Sequence, residues 1–261
     1  MSESAESQVH IAVRDMTMAY GDFVIQKDLN FEVRRGDIFV IMGGSGCGKS
    51  TLLRHLIGLK PPAQGDVFYD GTSFWQGSDA DRDAMKRSFG VLFQSGALWS
   101  SMTLAENIGL PLRQYTRLSE AEIREVAAWK LALVGLTGFE DYYPNEISGG
   151  MKKRVGLARA MAMDPDILFF DEPSAGLDPI SAKLLDDLIV ELRDTLQTTI
   201  VMVTHELASI MAIGTNSVFL DPETKTQLAT GNPRELRDHC TDDRVREFLW
   251  RGVEPSSAAG A

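Results

Sequence analysis

The stretch IFVIMGGSGCGKSTLLRHLIG, Ile38 to Gly58, joins an apolar run to a glycine-rich turn and then to a helical pattern. Its centre, Gly43 to Ser50, has the spacing G-x-x-x-x-G-K-S. Strand, tight turn and helix in that order are the context in which this spacing makes a phosphate loop. The glycines let backbone N–H groups converge on phosphate oxygens, and the helix N-terminus adds its dipole. Gly43, Gly44, Ser45, Gly46, Cys47, Gly48, Lys49, Ser50 and Thr51 are therefore the candidate nucleotide contacts. Lys49 would neutralise β- and γ-phosphate charge, and Ser50 would offer a hydroxyl to Mg²⁺. Cys47 has no partner thiol in sight and reads as a small space-filler.

Outward from this loop the pattern alternates between strands and helices. Strands are expected around Ile11–Tyr20, Leu29–Asp37 and Gly65–Gly71, and a helix from Lys49 to about Leu59, stopped by Pro61 and Pro62. From about Leu104 to Met163 the character becomes helical. Leu118–Leu136 has apolar residues at helical spacing behind a capping box of Ser119 and Glu122. Strand-like runs return at DILFFD, TTIVMVT and NSVFLD, with a helix over Pro179–Leu196 between the first two. TDDRVREFLWRG, from about Thr241, could form one more short helix. No internal repeat is visible. The expected organisation is a disordered N-terminus (1–8), an α/β core (9–94 and 164–240), a helical insertion (95–163) and a C-terminal helix and tail (241–261). The closing EPSSAAGA is expected to be disordered.

Composition narrows the function classes. The chain has 261 residues, 44% hydrophobic and 24% charged, enough to build a core without staples. Its formal charge of −11 argues against nucleic acid as a partner. Two cysteines without metal spacing fit a reducing compartment. No apolar run reaches membrane-span length, and the polar start MSESAESQVH is no signal peptide, so any membrane role needs another anchor.

A second constellation follows the loop. DILFFDEPSAGLDP is an apolar strand ending in Asp171 and Glu172. In phosphate-loop ATPases an Asp in this place holds the Mg²⁺ shell, and a carboxylate one residue on is placed to deprotonate an attacking water. ISGGMKKRVGLARA then sets Ser148, Gly149 and Gly150 at a helix start, about twenty residues before the Asp-Glu pair. This resembles the signature motif of ABC-type ATPases. Gln94 resembles that family's Q-loop glutamine, with a place in the metal shell and in catalysis. SAGLD, ending at Asp178, resembles the D-loop; His205 in MVTHE resembles the switch histidine; Tyr20 resembles the aromatic that stacks on adenine. The resemblance covers about Ile11 to Leu236.

The family resemblance implies a phosphate-loop (RecA-like) ABC ATPase core with an antiparallel β subdomain and an inserted α-helical subdomain. It implies ATP and Mg²⁺ as cofactors, Glu172, His205 and Gln94 as catalytic residues, and Ser50, Gln94 and Asp171 around the metal. It also implies a head-to-tail homodimer, because the signature faces the γ-phosphate held by the other subunit. FQSGALWSSMTLAENI, SGGM, VTHELASIMAIG and DDRVREFLWRG resemble the ATPases of Mla-type, MCE-linked lipid transporters. That subgroup implies a multi-span permease of MlaE type, an MCE-domain protein, a small STAS-domain subunit and a phospholipid cargo, at the cytoplasmic face of the inner membrane. Two departures stand out: Ile147 replaces the usual Leu before Ser148, and Met151 replaces the general Gln. The alternatives are the ATPase of a small-solute importer, for an amino acid for example, and a soluble ABC protein without a permease. Lys152, Lys153 and Arg154 read equally as a solvated helix face, and Trp99 and Trp129 as core or partner contacts.

Overall fold

The computed structural model describes residues 8–94 and 96–251. The disorder expected at 1–8 and at EPSSAAGA therefore lies outside the described residues, Gln8 apart. The elements run β1 (Val9–Tyr20), β2 (Phe23–Arg34), β3 (Ile38–Gly43), α1 (Lys49–Leu56), β4 (Gln64–Tyr69), β5 (Thr72–Ser73), α2 (Asp79–Lys86) and β6 (Phe89–Leu92). Then come α3 (Leu104–Tyr115), α4 (Glu120–Leu133), a 3-10 turn at Pro144–Glu146 and α5 (Gly149–Ala160). The chain continues through β7 (Ile167–Asp171), α6 (Pro179–Leu196), β8 (Thr199–Val203), α7 (Leu207–Ile213), β9 (Asn216–Asp221), β10 (Thr226–Thr230), α8 (Pro233–His239) and α9 (Asp243–Trp250).

Among the described residues the strands form two sheets. One is antiparallel, in the order β2-β1-β4-β5. The other has the order β10-β9-β3-β8-β7-β6 and is parallel except for the β9–β10 hairpin. β3 lies inside this sheet, paired to β8 and β9, and every one of its residues is buried. Strand alternation sends Phe39 and Ile41 into a core shared with the antiparallel sheet and α1, while Ile38, Val40 and Met42 enter a core shared with the helices from α3 onward. The phosphate loop thus leaves the carboxyl end of a strand anchored on both faces, where open α/β sheets place their ligands.

Local chemistry accounts for most boundaries. The α3 and α4 starts are capping boxes, Thr103 with Glu106 and Ser119 with Glu122. α1 ends at Leu56, short of the expected Leu59. Gly58 takes the left-handed conformation there (φ 77°), against the Phe74 ring, so the glycine stops the helix before the prolines are reached. Two short polar helices, α2 and α8, carry too little apolar periodicity to be read from sequence. β6 ends at Leu92, so Gln94 sits in the following turn. That turn closes by a bond from Gly96 N to Phe93 O at 2.8 Å, just past the last β6–β7 pair, Leu92 with Phe170.

Candidate active site

Two glycines of the loop between β3 and α1, Gly43 and Gly48, leave no room for a side chain. Gly43 adopts φ 146°, and a Cβ there would strike Leu220 O and the Cys47 sulfur. Gly48, at φ 99°, would meet Ile25 at 2.7 Å. Gly44 and Gly46 have open space beside them, on the side that faces the cleft. Lys49 Nζ donates to Gly43 O at 2.9 Å and to Gly44 O at 3.0 Å, which parks the ammonium across the loop. The Cys47 side chain is buried, and that burial pushes its thiol above the usual range. It does not line the cleft, in keeping with a space-filling role.

The cleft has a volume of about 810 Å³. Its floor is the loop with Ser45, Lys49, Ser50 and Thr51, and its walls include Tyr20, Phe23, Glu172 and His205. Residues 185 positions apart in sequence, Tyr20 and His205, therefore face one space. Tyr20 is 50% exposed. Lys60 Nζ sits 2.9 Å from its ring centroid and donates to Ala19 O, and this nearby cation pulls the phenol below its ordinary pKa.

Ser50 Oγ donates to Asp171 Oδ1 at 3.1 Å. A hydroxyl and a carboxylate side by side are hard oxygen donors, which is the donor type Mg²⁺ takes. The residues present therefore fit the ion. Glu172 follows directly in the left-handed region (φ 51°), uncommon for a residue with a side chain. Its N–H bonds Val203 O at 2.8 Å, which ties it to the end of β8. Its side chain lines the cleft, where Oε2 lies 2.8 Å from His205 Nδ1. Glu172 is largely enclosed at 13% side-chain exposure and His205 is open at 59%.

Other expected residues lie away from this cleft. Gln94 is exposed in its turn and does not line it. Ser148 caps α5, its Oγ accepting from Met151 N at 3.3 Å, and Ser148 and Gly149 are exposed. Asp178 caps α6 through Ile180 N and Ser181 N, and the Ser181 hydroxyl and amide hold its carboxyl below the usual range. None of Ser148, Gly149, Gly150 and Asp178 lines the cleft.

One residue escapes the sequence reading. Lys153 is buried, not on a solvated face, and donates to Gln94 O and, at 3.3 Å, to Glu172 O. Burial lowers its pKa against the pull of Glu172 and Asp171. A basic residue three positions after the signature glycines was visible; what it bonds was not. Arg159, further along α5, donates to Ala97 O at 2.8 Å and Gly96 O at 2.9 Å. The helix that begins at Ser148 therefore holds the Gln94 turn at three carbonyls. Trp99 and Trp129 are 60% and 51% exposed, so neither is core.

Comparison with known proteins agrees with this geometry. Residues 26–175, more than half of the chain, match the family described as ABC transporter. A Mycobacterium bovis protein named "probable ribonucleotide transport ATP-binding protein mkl" is 41% identical over 92% of this chain, which spans 66% of that relative, just under two thirds. A Haemophilus influenzae protein named "intermembrane phospholipid transport system ATP-binding protein MlaF" is 38% identical over 92% of this chain and 89% of its own length. Among solved structures, a dimeric bacterial ABC transporter cassette matches with a TM-score of 0.77 at 30% identity, over 85% of this chain and 98% of that one. With a phosphate loop, an acidic strand end and a capped signature helix on an α/β core, the chain belongs to the ABC transporter family as its ATP-binding cassette.

Proposed function

We propose that this chain is the ATP-hydrolysing subunit of an ABC transporter that moves phospholipid between the inner membrane and a periplasmic MCE-domain protein. The observation that carries the lipid reading is the 38% identity to the Haemophilus phospholipid-transport protein, of which the chain spans 89%. The mycobacterial relative named for ribonucleotide transport is spanned over 66% of its length, so a third of that protein lies outside the similarity.

In this reading the loop from Gly43 to Thr51 binds the phosphates through its backbone and the α1 N-terminus. Tyr20 stacks on adenine. Ser50 and Asp171 would hold Mg²⁺, which neutralises phosphate charge when bound, and Gln94 would join them only once its turn moves toward the cleft. Glu172 takes the proton of the attacking water, and His205 beside it orients that carboxylate and steadies the γ-phosphate. Ser148, Gly149, Gly150 and Asp178 serve a second copy, because they stand outside the chain's own cleft. Two copies then close head to tail on two ATPs. The nucleotide lies on the core (9–94 and 164–240), while the insertion (95–163) carries the signature helix. A groove of about 520 Å³, lined by Val91, Trp99, Leu110 and Tyr115, takes the permease of MlaE type. It adjoins the Gln94 turn, so nucleotide state reaches the membrane subunit through a short path. No helix among the described residues is long and apolar enough to cross a membrane. The permease holds the chain on the cytoplasmic face of the inner membrane, and a small STAS-domain subunit completes the complex.

The test is capture of tagged Glu172→Gln chain from detergent-solubilised native membranes, with proteins and lipids identified by mass spectrometry. An MCE protein, a multi-span permease and bound phospholipid are expected. A solute or nucleotide permease without phospholipid, or only soluble partners, overturns the lipid reading.

A further inference from the structure

The C-terminal helix α9 reaches the nucleotide cleft. It is fixed on the core by Val245 and Leu249, both fully buried, and by the Phe248 ring packed edge-on to Phe219 of β9 at 5.2 Å. Its last turn is secured by Arg251 N bonding Glu247 O at 3.3 Å and by the Arg237 guanidinium 5.2 Å from the Trp250 ring. This anchoring brings Phe248 and Arg251 into the lining of the same cleft as Tyr20, Phe23 and the phosphate loop.

A second, separate path joins α9 to the loop. Arg244 Nη1 donates to Asp221 Oδ2 at 3.1 Å. Asp221 ends β9, the strand paired with β3, and its backbone carbonyl accepts from Gln26 Nε2 at 2.9 Å. The same Gln26 Nε2 donates to Cys47 O, inside the phosphate loop, at 2.8 Å. Gln26 is fully buried, so this link is shielded from water.

We propose that α9 is part of the nucleotide site of its own chain, with Phe248 and Arg251 forming a lip that grips the nucleoside end while the phosphate loop grips the other. The proposal rests on the reading that the cleft takes ATP. Its chemistry is that of a purine nucleoside. An aromatic edge and a guanidinium suit a flat, electron-rich ring and the ribose hydroxyls, because the guanidinium presents five donors and also stacks on π faces. Lys49, Ser50 and Thr51 already attend to the phosphates, so Arg251 is a specificity-determining residue and Arg244 a positioning one.

The test compares two competitors on the full chain. A fluorescent ATP analogue is displaced by ATP and, separately, by inorganic tripolyphosphate, for wild type, Arg251→Ala, Phe248→Leu and Lys49→Ala. Arg251 is exposed, so its truncation leaves folding intact. The expected result is a loss of ATP affinity of about tenfold in Arg251→Ala and a smaller loss in Phe248→Leu, with tripolyphosphate affinity unchanged in both. Lys49→Ala should weaken both competitors. Unchanged ATP affinity in Arg251→Ala, or equal losses for ATP and tripolyphosphate, overturns the lip while leaving the ATP reading intact. Failure of wild type to bind the analogue overturns both.

Discussion

Lys153 shows how a single side chain links parts that are distant in sequence. Its ammonium joins the carbonyl of Gln94 to that of Glu172, so the turn before the helical insertion and the strained residue after β7 share one donor. Lys153→Ala leaves the Gln94 carbonyl without this donor, a cost of up to about 3 kcal/mol, while the Glu172 carbonyl keeps its bond from Ala175 N at 3.2 Å. The expected kinetic result is a fall in kcat with little change in KM for ATP, since neither carbonyl lines the cleft as a phosphate contact. A KM rise with kcat intact would remove Lys153 from this role. A second residue is legible only through titration. Asp186 on α6 is buried, its Oδ2 accepts from Ser209 Oγ at 2.7 Å, and its Oδ1 has no partner among the described residues. Burial raises its pKa first; the Ser209 bond opposes, and Asp187 and Glu206 add to the rise. The native chain then binds this proton more tightly than the unfolded one, so stability declines as pH rises from about 4 through the raised native value. Asp186→Asn keeps an acceptor for Ser209 and removes that decline. Its urea midpoint should exceed wild type near neutral pH, with the gap closing as pH falls towards about 4. A gap independent of pH would assign the effect to packing instead.

At the scale of elements, the phosphate loop, the acidic strand end, α6 and the capped start of α4 were all legible in sequence. Each is written in local chemistry: glycine spacing, an apolar run closed by Asp171, Pro179 after the Asp178 cap, and Ser119 with Glu122. What was not legible depends on contacts between distant segments. The early end of α1 comes from Gly58 closing against Phe74, and the place of Gln94 beyond β6 comes from a turn that α5 holds through Lys153 and Arg159. Burial of Lys153 follows from that same contact, and a basic run in sequence gives no sign of it. β6 gives a direct test of how tightly this region is packed. Gly90 faces Ala160 O, with Leu168 Cδ2 at 2.6 Å and Pro165 Cγ at 2.9 Å from where a Cβ would sit. Gly90→Ala must push β6 off β7 or off the end of α5, and overpacking of this kind costs about 1–3 kcal/mol. The urea midpoint should fall accordingly, and ATP turnover should fall with it because the Gln94 turn follows β6 directly. A variant as stable as wild type would show that the strand end yields freely.

For the whole molecule, the decisive geometry is that two features the proposed function assigns to phosphate face different spaces. One is the cleft above Lys49; the other is the exposed N-terminus of α5, capped by Ser148, with open space beside Gly149. A helix N-terminus attracts phosphate, and this one lies outside the cleft that its own chain's phosphate loop lines. Exposed Ile180 and Leu184, at 75% and 64%, lie just after the Asp178 cap and leave an apolar strip on α6 for a partner to cover. The solved relative that matches at 30% identity is dimeric. Closure of two copies should therefore require ATP, an intact signature and a step that hydrolysis undoes. Glu172→Gln should bind ATP and lose roughly 10²–10⁴-fold in turnover, so the closed dimer should accumulate and be seen by light scattering. Adding Ser148→Arg should place a bulky cation at the site that, in the proposed dimer, receives the γ-phosphate. That double variant should bind ATP as a monomer, fail to dimerise and hydrolyse nothing. Normal hydrolysis by monomeric Ser148→Arg would mean that one cleft suffices, and the two-site account of this cassette would fail.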